Sequence, residues 1–91
     1  MARYLIESSH TPAECLKALD AVLEKGAATL AKYDWGCMEG VHTGWATVEA
    51  ASESAARDTV PSSLRSKARI VKLNKFTPKE IESFHKNYGQ N

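Results

Sequence analysis

His10, Cys15 and His42 are the side chains of this sequence best suited to soft-metal or nucleophile chemistry. His10 and Cys15 bracket Thr11-Pro12-Ala13-Glu14, and His42 sits in Val41-His42-Thr43, between two strand-like segments. Thr-Pro-x-Glu is a helix-start device. Thr at the N-cap accepts from the N3 amide, Glu at N3 reaches back to the N-cap amide, and Pro at N1 has no donor to leave orphaned. His10 and Cys15 then occupy N′ and N4, the two positions that a hydrophobic staple brings together. A thiol near a helix N-terminus and an imidazole is a candidate nucleophile. Two imidazoles and a thiolate suit zinc or copper. A plainer reading competes, because Cys15 also fits an apolar helix stripe and His42 an exposed turn. No His-x-x-x-His or Cys-x-x-Cys spacing supports the sharper options.

Glu7, Trp45, Thr47 and Glu49 form a second group. Strand alternation sets Leu5 and Glu7 on one face of a first strand and Trp45, Thr47 and Glu49 on one face of a third. Carboxylates beside a tryptophan in a partly apolar cavity would act as general acid or base, with Glu7, Glu49 and His42 the candidates, or would bind a small polar-aromatic ligand. The alternative is a rim of carboxylates paired with Arg or Lys. Cys37 is placed near the start of the second strand, at the opposite end of the sheet from Cys15, which argues against a disulfide. His85 reads as solvent-facing or interfacial, and Trp35 as a core anchor. The sequence holds no phosphate loop, nucleophile elbow or dinucleotide fingerprint, so no cofactor is expected.

The elements that must position these groups follow from the pattern of apolar residues. A first helix runs from the cap through Cys15, Leu16, Leu19, Val22 and Leu23, and Gly26 ends or bends it. A second begins near Ser52 and is interrupted at Val60-Pro61. A third starts at Phe76-Thr77-Pro78-Lys79-Glu80-Ile81, the same Thr-Pro-x-Glu cap, with Phe76 and Ile81 as its staple and Ile81, Phe84 and Tyr88 as its stripe. Strands are expected over 3–8, 35–40, 44–50 and 68–76. For the last of these, Val71 with Leu73 and Ile70 with Phe76 are both open as the inward set.

The order strand, helix, strand, strand, helix, strand predicts an α+β fold, a ferredoxin-like βαββαβ domain over 1–91 with a four-stranded antiparallel sheet and an extra C-terminal helix at about 77–88. Both main helices would cover one sheet face. The other, bearing Leu5 and Trp45, is too apolar to leave in water, and a second copy is the expected cover. A thin core in so short a chain also favours self-association.

In element order, length and this half-apolar face, residues 3–76 resemble the small ferredoxin-like proteins of the dimeric α/β-barrel type. The resemblance implies two sheets packed face to face. It makes a cofactor-independent enzyme, monooxygenase- or isomerase-like, the alternative to a homodimer with a binding or accessory role, with a small molecule as its possible ligand. Metal binding through His10, Cys15 and His42 is a third reading.

Charge is unevenly spread: residues 1–64 carry a net −4 and residues 65–91 a net +5. Arg65, Lys67, Arg69, Lys72, Lys75 and Lys79 run without an acid between them. This run lacks the glycine and aromatic interleaving of a nucleic-acid module, and protection of an edge strand explains it better. Nucleic acid is therefore not an expected partner. With no signal-peptide core, no spanning segment and two cysteines too few for a disulfide framework, a cytoplasmic address away from membranes is the expectation.

Overall fold

Four strands form one antiparallel sheet, in the order β2-β3-β1-β4. β1 (Ala2–Ser9) and β3 (Thr43–Ala50) lie at the centre, and β2 (Tyr33–Trp35) and β4 (Ala68–Leu73) at the edges. The helices are α1 (Cys15–Glu24), α2 (Ala27–Leu30), α3 (Glu53–Asp58) and α4 (Pro78–Phe84). The fold is α+β. The computed structural model describes residues 1–89, and the side chain of Tyr88, expected on the last helix's stripe, lies outside what it describes. Among the described residues no helix is long and apolar enough to cross a membrane.

Register explains which face is the core. Tyr4, Ile6 and Ser8 stand opposite Val48, Ala46 and Gly44, while Ile6 and Ser8 meet Ile70 and Ala68 across β4. These residues share the face that α1 and α3 cover. Ile6, Val22, Tyr33, Ala46, Val60 and Ala68 make the main core cluster, and Tyr4, Ala50 and Ala56 a smaller one. Small residues on β3 let the helices approach closely. Burial raises the Tyr33 phenol above its ordinary pKa. On the opposite face stand Leu5, Glu7, Trp45, Thr47, Glu49, Val71 and Leu73, as alternation predicts. The open choice on β4 is thereby resolved: Ile70 turns inward, Val71 and Leu73 outward, and Phe76 lies beyond the strand.

Three expectations are corrected. The second strand ends at Trp35 and does not run to Gly40, because Gly36 leads into a 3-10 turn over Cys37–Glu39. The fourth stops at Leu73, short of Phe76. On α1 the buried residues are Ala18 and Val22, while Leu16 and Leu23 are 69% and 50% exposed. The small Ala18 is the better fit against the sheet, and the two leucines ride outside.

The cap expectations hold. Gly26 breaks α1 from α2 with φ 124°, a backbone conformation that disfavours any side chain. Ser52 caps α3, its Oγ accepting from the Ala55 amide at 3.1 Å. α4 carries its capping box, with the Glu80 amide donating to Thr77 Oγ1 at 3.1 Å and the Thr77 amide to Glu80 Oε1 at 2.9 Å. That amide bond, with the Thr77 hydroxyl, lowers the Glu80 pKa.

The basic run does not gather into a face. Arg65 turns to the carbonyls of Val60 (2.8 Å) and Asp58 (3.1 Å), Lys67 pairs with Glu14 at 3.2 Å, and Arg69 approaches Glu7 at 3.9 Å. With β4 an edge strand, charged side chains along it discourage pairing with other chains.

Candidate metal centre

His10, Cys15, Cys37 and His42 converge at one end of the sheet, each offering a ligand atom within 4.8 Å of the others. Two loops deliver them, and each loop has its own local cause. The first is the cap of α1. Glu14 accepts from the Thr11 amide at 3.0 Å, and this bond, followed by the Lys67 ammonium, lowers its carboxyl pKa to about 2. The box fixes the chain's entry into the helix, so N′ and N4 face one way. His10 and Cys15 hold those two positions.

The second loop joins β2 to β3. The Gly36 amide donates to the Thr43 carbonyl at 3.0 Å, and the Val41 amide returns to the Gly36 carbonyl at 2.9 Å. A Cβ at Gly36 would stand 2.8 Å from the Val41 oxygen and 3.0 Å from the Trp45 ring, so this closure requires glycine. Gly40 turns the chain back with φ 86°. Between them Cys37 is carried round to the same end as His42. One backbone hydrogen bond ties the two loops, from the His10 amide to the His42 carbonyl at 3.0 Å.

Within the cluster His10 Nε2 lies 3.4 Å from Cys37 Sγ, and the His10 and His42 rings meet edge-on with centroids 6.2 Å apart. His10 is buried, and the other three residues are partly so. Burial, then the neighbouring Cys15 thiol, raises the Cys37 pKa above the ordinary thiol value. His10 Nδ1 and His42 Nδ1 are buried without a hydrogen-bond partner among the described residues. Unsatisfied buried imidazole nitrogens are costly, and a bound cation is one way to satisfy a histidine.

The set fits a tetrahedral transition metal. At Zn–S near 2.3 Å and Zn–N near 2.0–2.1 Å, neighbouring ligand atoms sit roughly 3.3–3.8 Å apart. A cluster already within 4.8 Å would need side-chain shifts of only about 1 Å or less to reach those spacings. Two thiolates balance a divalent charge, and four protein ligands leave no open coordination position. This is the chemistry of holding an ion, or being held by one, and not of activating a bound water.

The three metal candidates read from the sequence, His10, Cys15 and His42, thus come together, with Cys37 as a fourth. Its placement at the far end of the sheet is overturned, and with it the separation used against a Cys15–Cys37 disulfide; both thiols are free. The strand ends at Trp35, and the 3-10 turn after Gly36 brings Cys37 back toward α1. The sequence carries a mirrored spacing, His10-x4-Cys15 and Cys37-x4-His42, with Gly36 just before the second pair and Gly40 within it.

The Glu7 group has a different geometry. Glu7 and Trp45 are register partners, and Trp45 Nε1 donates to Glu7 Oε2 at 3.3 Å. Thr47 and Glu49 are exposed further along β3. His42 precedes β3 and Glu49 nearly ends it, a separation of roughly 20 Å at strand rise, so His42 and Glu49 share no site. His85 is exposed, and Trp35 stacks on Tyr33 at 5.5 Å, half-buried against the core. Comparison with protein-family models, with curated proteins and with solved structures finds no match to this chain.

Proposed function

We propose that this chain is a transition-metal-binding protein whose centre is His10, Cys15, Cys37 and His42, with zinc the best-suited ion. The observation that carries this reading is the convergence of four soft or borderline ligand atoms within 4.8 Å, two of the residues also holding orphaned buried nitrogens. Bound there, the ion ties the β2–β3 loop to the start of α1, and so supplements the thin core of a small domain. The test is metal analysis of tag-free protein together with cobalt substitution. One zinc per chain, and the visible spectrum of tetrahedral cobalt bound by two thiolates, are the expected results. Protein that neither retains nor takes up zinc, cobalt or copper sinks the reading, as does unchanged binding in Cys37→Ser.

The strand order β2-β3-β1-β4 with both main helices on one face supports a ferredoxin-like arrangement. It leaves Leu5, Trp45, Val71 and Leu73 half-covered on the opposite face, which favours a homodimer built through that face. A small ligand or a cofactor-independent reaction between two such sheets would use Glu7, Trp45, Thr47 and Glu49. A structure of the dimer tests it, since solid packing over Glu7 leaves no room for a ligand.

A further inference from the structure

Beyond the metal centre, and resting on the homodimer reading above, we infer that α4 is a clasping arm that packs its Phe76–Ile81–Phe84 stripe against the half-apolar sheet face of a second copy. The chain is extended for its size. Its radius of gyration is 16.5 Å and its extents are 50 × 29 × 21 Å, where a compact chain of this length has a radius near 12 Å. Its accessible surface is 6439 Å² for 10.0 kDa, roughly 1,200 Å² more than a compact monomer of that mass exposes. An excess of that size is what one partner contributes to a stable interface.

α4 presents exposed apolar residues that the rest of the chain does not cover. α4 packs principally on the turn that follows it. Phe76 and Ile81, the N′ and N4 residues of its cap, are 59% and 47% exposed, and Phe84 is 42% exposed with its ring edge-on to Phe76 at 5.5 Å. The intact capping box marks α4 as a formed helix with its apolar residues gathered on one stripe.

The sheet face offers the complement in the same chain. Leu5, Val71 and Leu73 form an aliphatic strip across β1 and β4, bordered on the same face by Arg3, Glu7 and Arg69, with Glu49 beside Arg3 on β3. The arm begins with Lys75 and Lys79. A two-fold exchange buries both apolar surfaces at once, and each copy supplies an identical contact to the other, as an isologous dimer requires.

The experiment is light scattering and sedimentation of the full chain, alone and as two variants, with circular dichroism to verify folding. Phe76→Asp with Ile81→Asp strikes the arm, and Val71→Asp strikes the sheet face. The expected result is a wild-type dimer of twice the chain mass, with both variants monomeric and their dimerisation weakened at least about 100-fold. If Val71→Asp is monomeric while the arm variant keeps the wild-type dissociation constant, the arm inference falls and the sheet-face reading stands. If the arm variant is monomeric and Val71→Asp stays dimeric, the arm docks elsewhere and the inference is overturned in its partner surface. A wild-type monomer overturns both.

Discussion

The chain uses one helix-start device twice and sends the two copies to opposite ends. At α1, Thr11-Pro12-Ala13-Glu14 places His10 and Cys15 against the β2–β3 loop, where His10 is buried. At α4, Thr77-Pro78-Lys79-Glu80 places Phe76 and Ile81 in solvent. In both the N3 carboxylate accepts from the N-cap amide and has a lowered pKa, but the N3 amide bonds the Thr11 carbonyl at the first cap and the Thr77 hydroxyl at the second. The surroundings differ as well. The first cap stands beside a loop that Gly36 and Gly40 fold back onto it, and the second meets little of the body. A capping box thus sets the direction of the N′ and N4 side chains, while tertiary neighbours decide their use.

The largest expected effect comes from filling the first cap's cluster. Zinc at about 1,000 times its dissociation constant adds about 4 kcal/mol, which on a domain of this size raises Tm by on the order of 15–30 °C. Calorimetry with and without chelator checks this, and Cys37→Ser should weaken zinc binding by on the order of 100-fold or more. His10→Phe with Cys15→Ile gives the first cap the apolar staple of the second. That variant should stay folded, lose all zinc response in Tm and keep its apo stability. A surviving zinc shift would mean that other residues hold the ion.

Next in size is Gly44→Ala. The added Cβ would meet the Trp35 ring at 2.8 Å, and overpacking of this kind costs about 1–3 kcal/mol. Urea denaturation measures it. Because Trp35 precedes the loop that carries Cys37, zinc affinity should fall with it.

Glu14→Gln has a smaller effect with a defined pH window. The folded carboxyl sits at about 2, below the ordinary carboxylate value of 4.5. Its contribution is therefore complete above the unfolded value and lost as pH falls from there through about 2. Thermal melts of wild type and variant should differ at neutral pH and converge across that window. Glu80→Gln should have the least consequence of all, reducing helix content in α4 without moving the main transition, because α4 adds little to the core.

Much of this was legible before any coordinates. Both caps, the break at Gly26, the start of α3 at Ser52 and the two faces of β1 and β3 follow from local rules, and residues such as Ile6 and Glu7 went where alternation put them. Cys37 did not. Aromatic and apolar neighbours drew the second strand too far, whereas the 3-10 turn after Gly36 depends on a close approach to Val41 and the Trp45 ring that no window of sequence contains. Leu16 and Leu23 failed similarly: periodicity marked them apolar, but the sheet had room for Ala18. The fourth member of the cluster, Cys37, depends on a tertiary contact, while the cap and the turn mark His10, Cys15 and His42 as candidates.

One amide-to-carbonyl bond, from His10 to His42, continues the pairing of β1 with β3 past its last rung, Ser9 opposite Thr43. A slip of one residue between these strands would turn the side chains of β1 to the other side of the sheet. It would also draw His10 away from His42 and scatter the four ligands. An ion held by all four would therefore favour the correct alignment of the central strand pair over the slipped one.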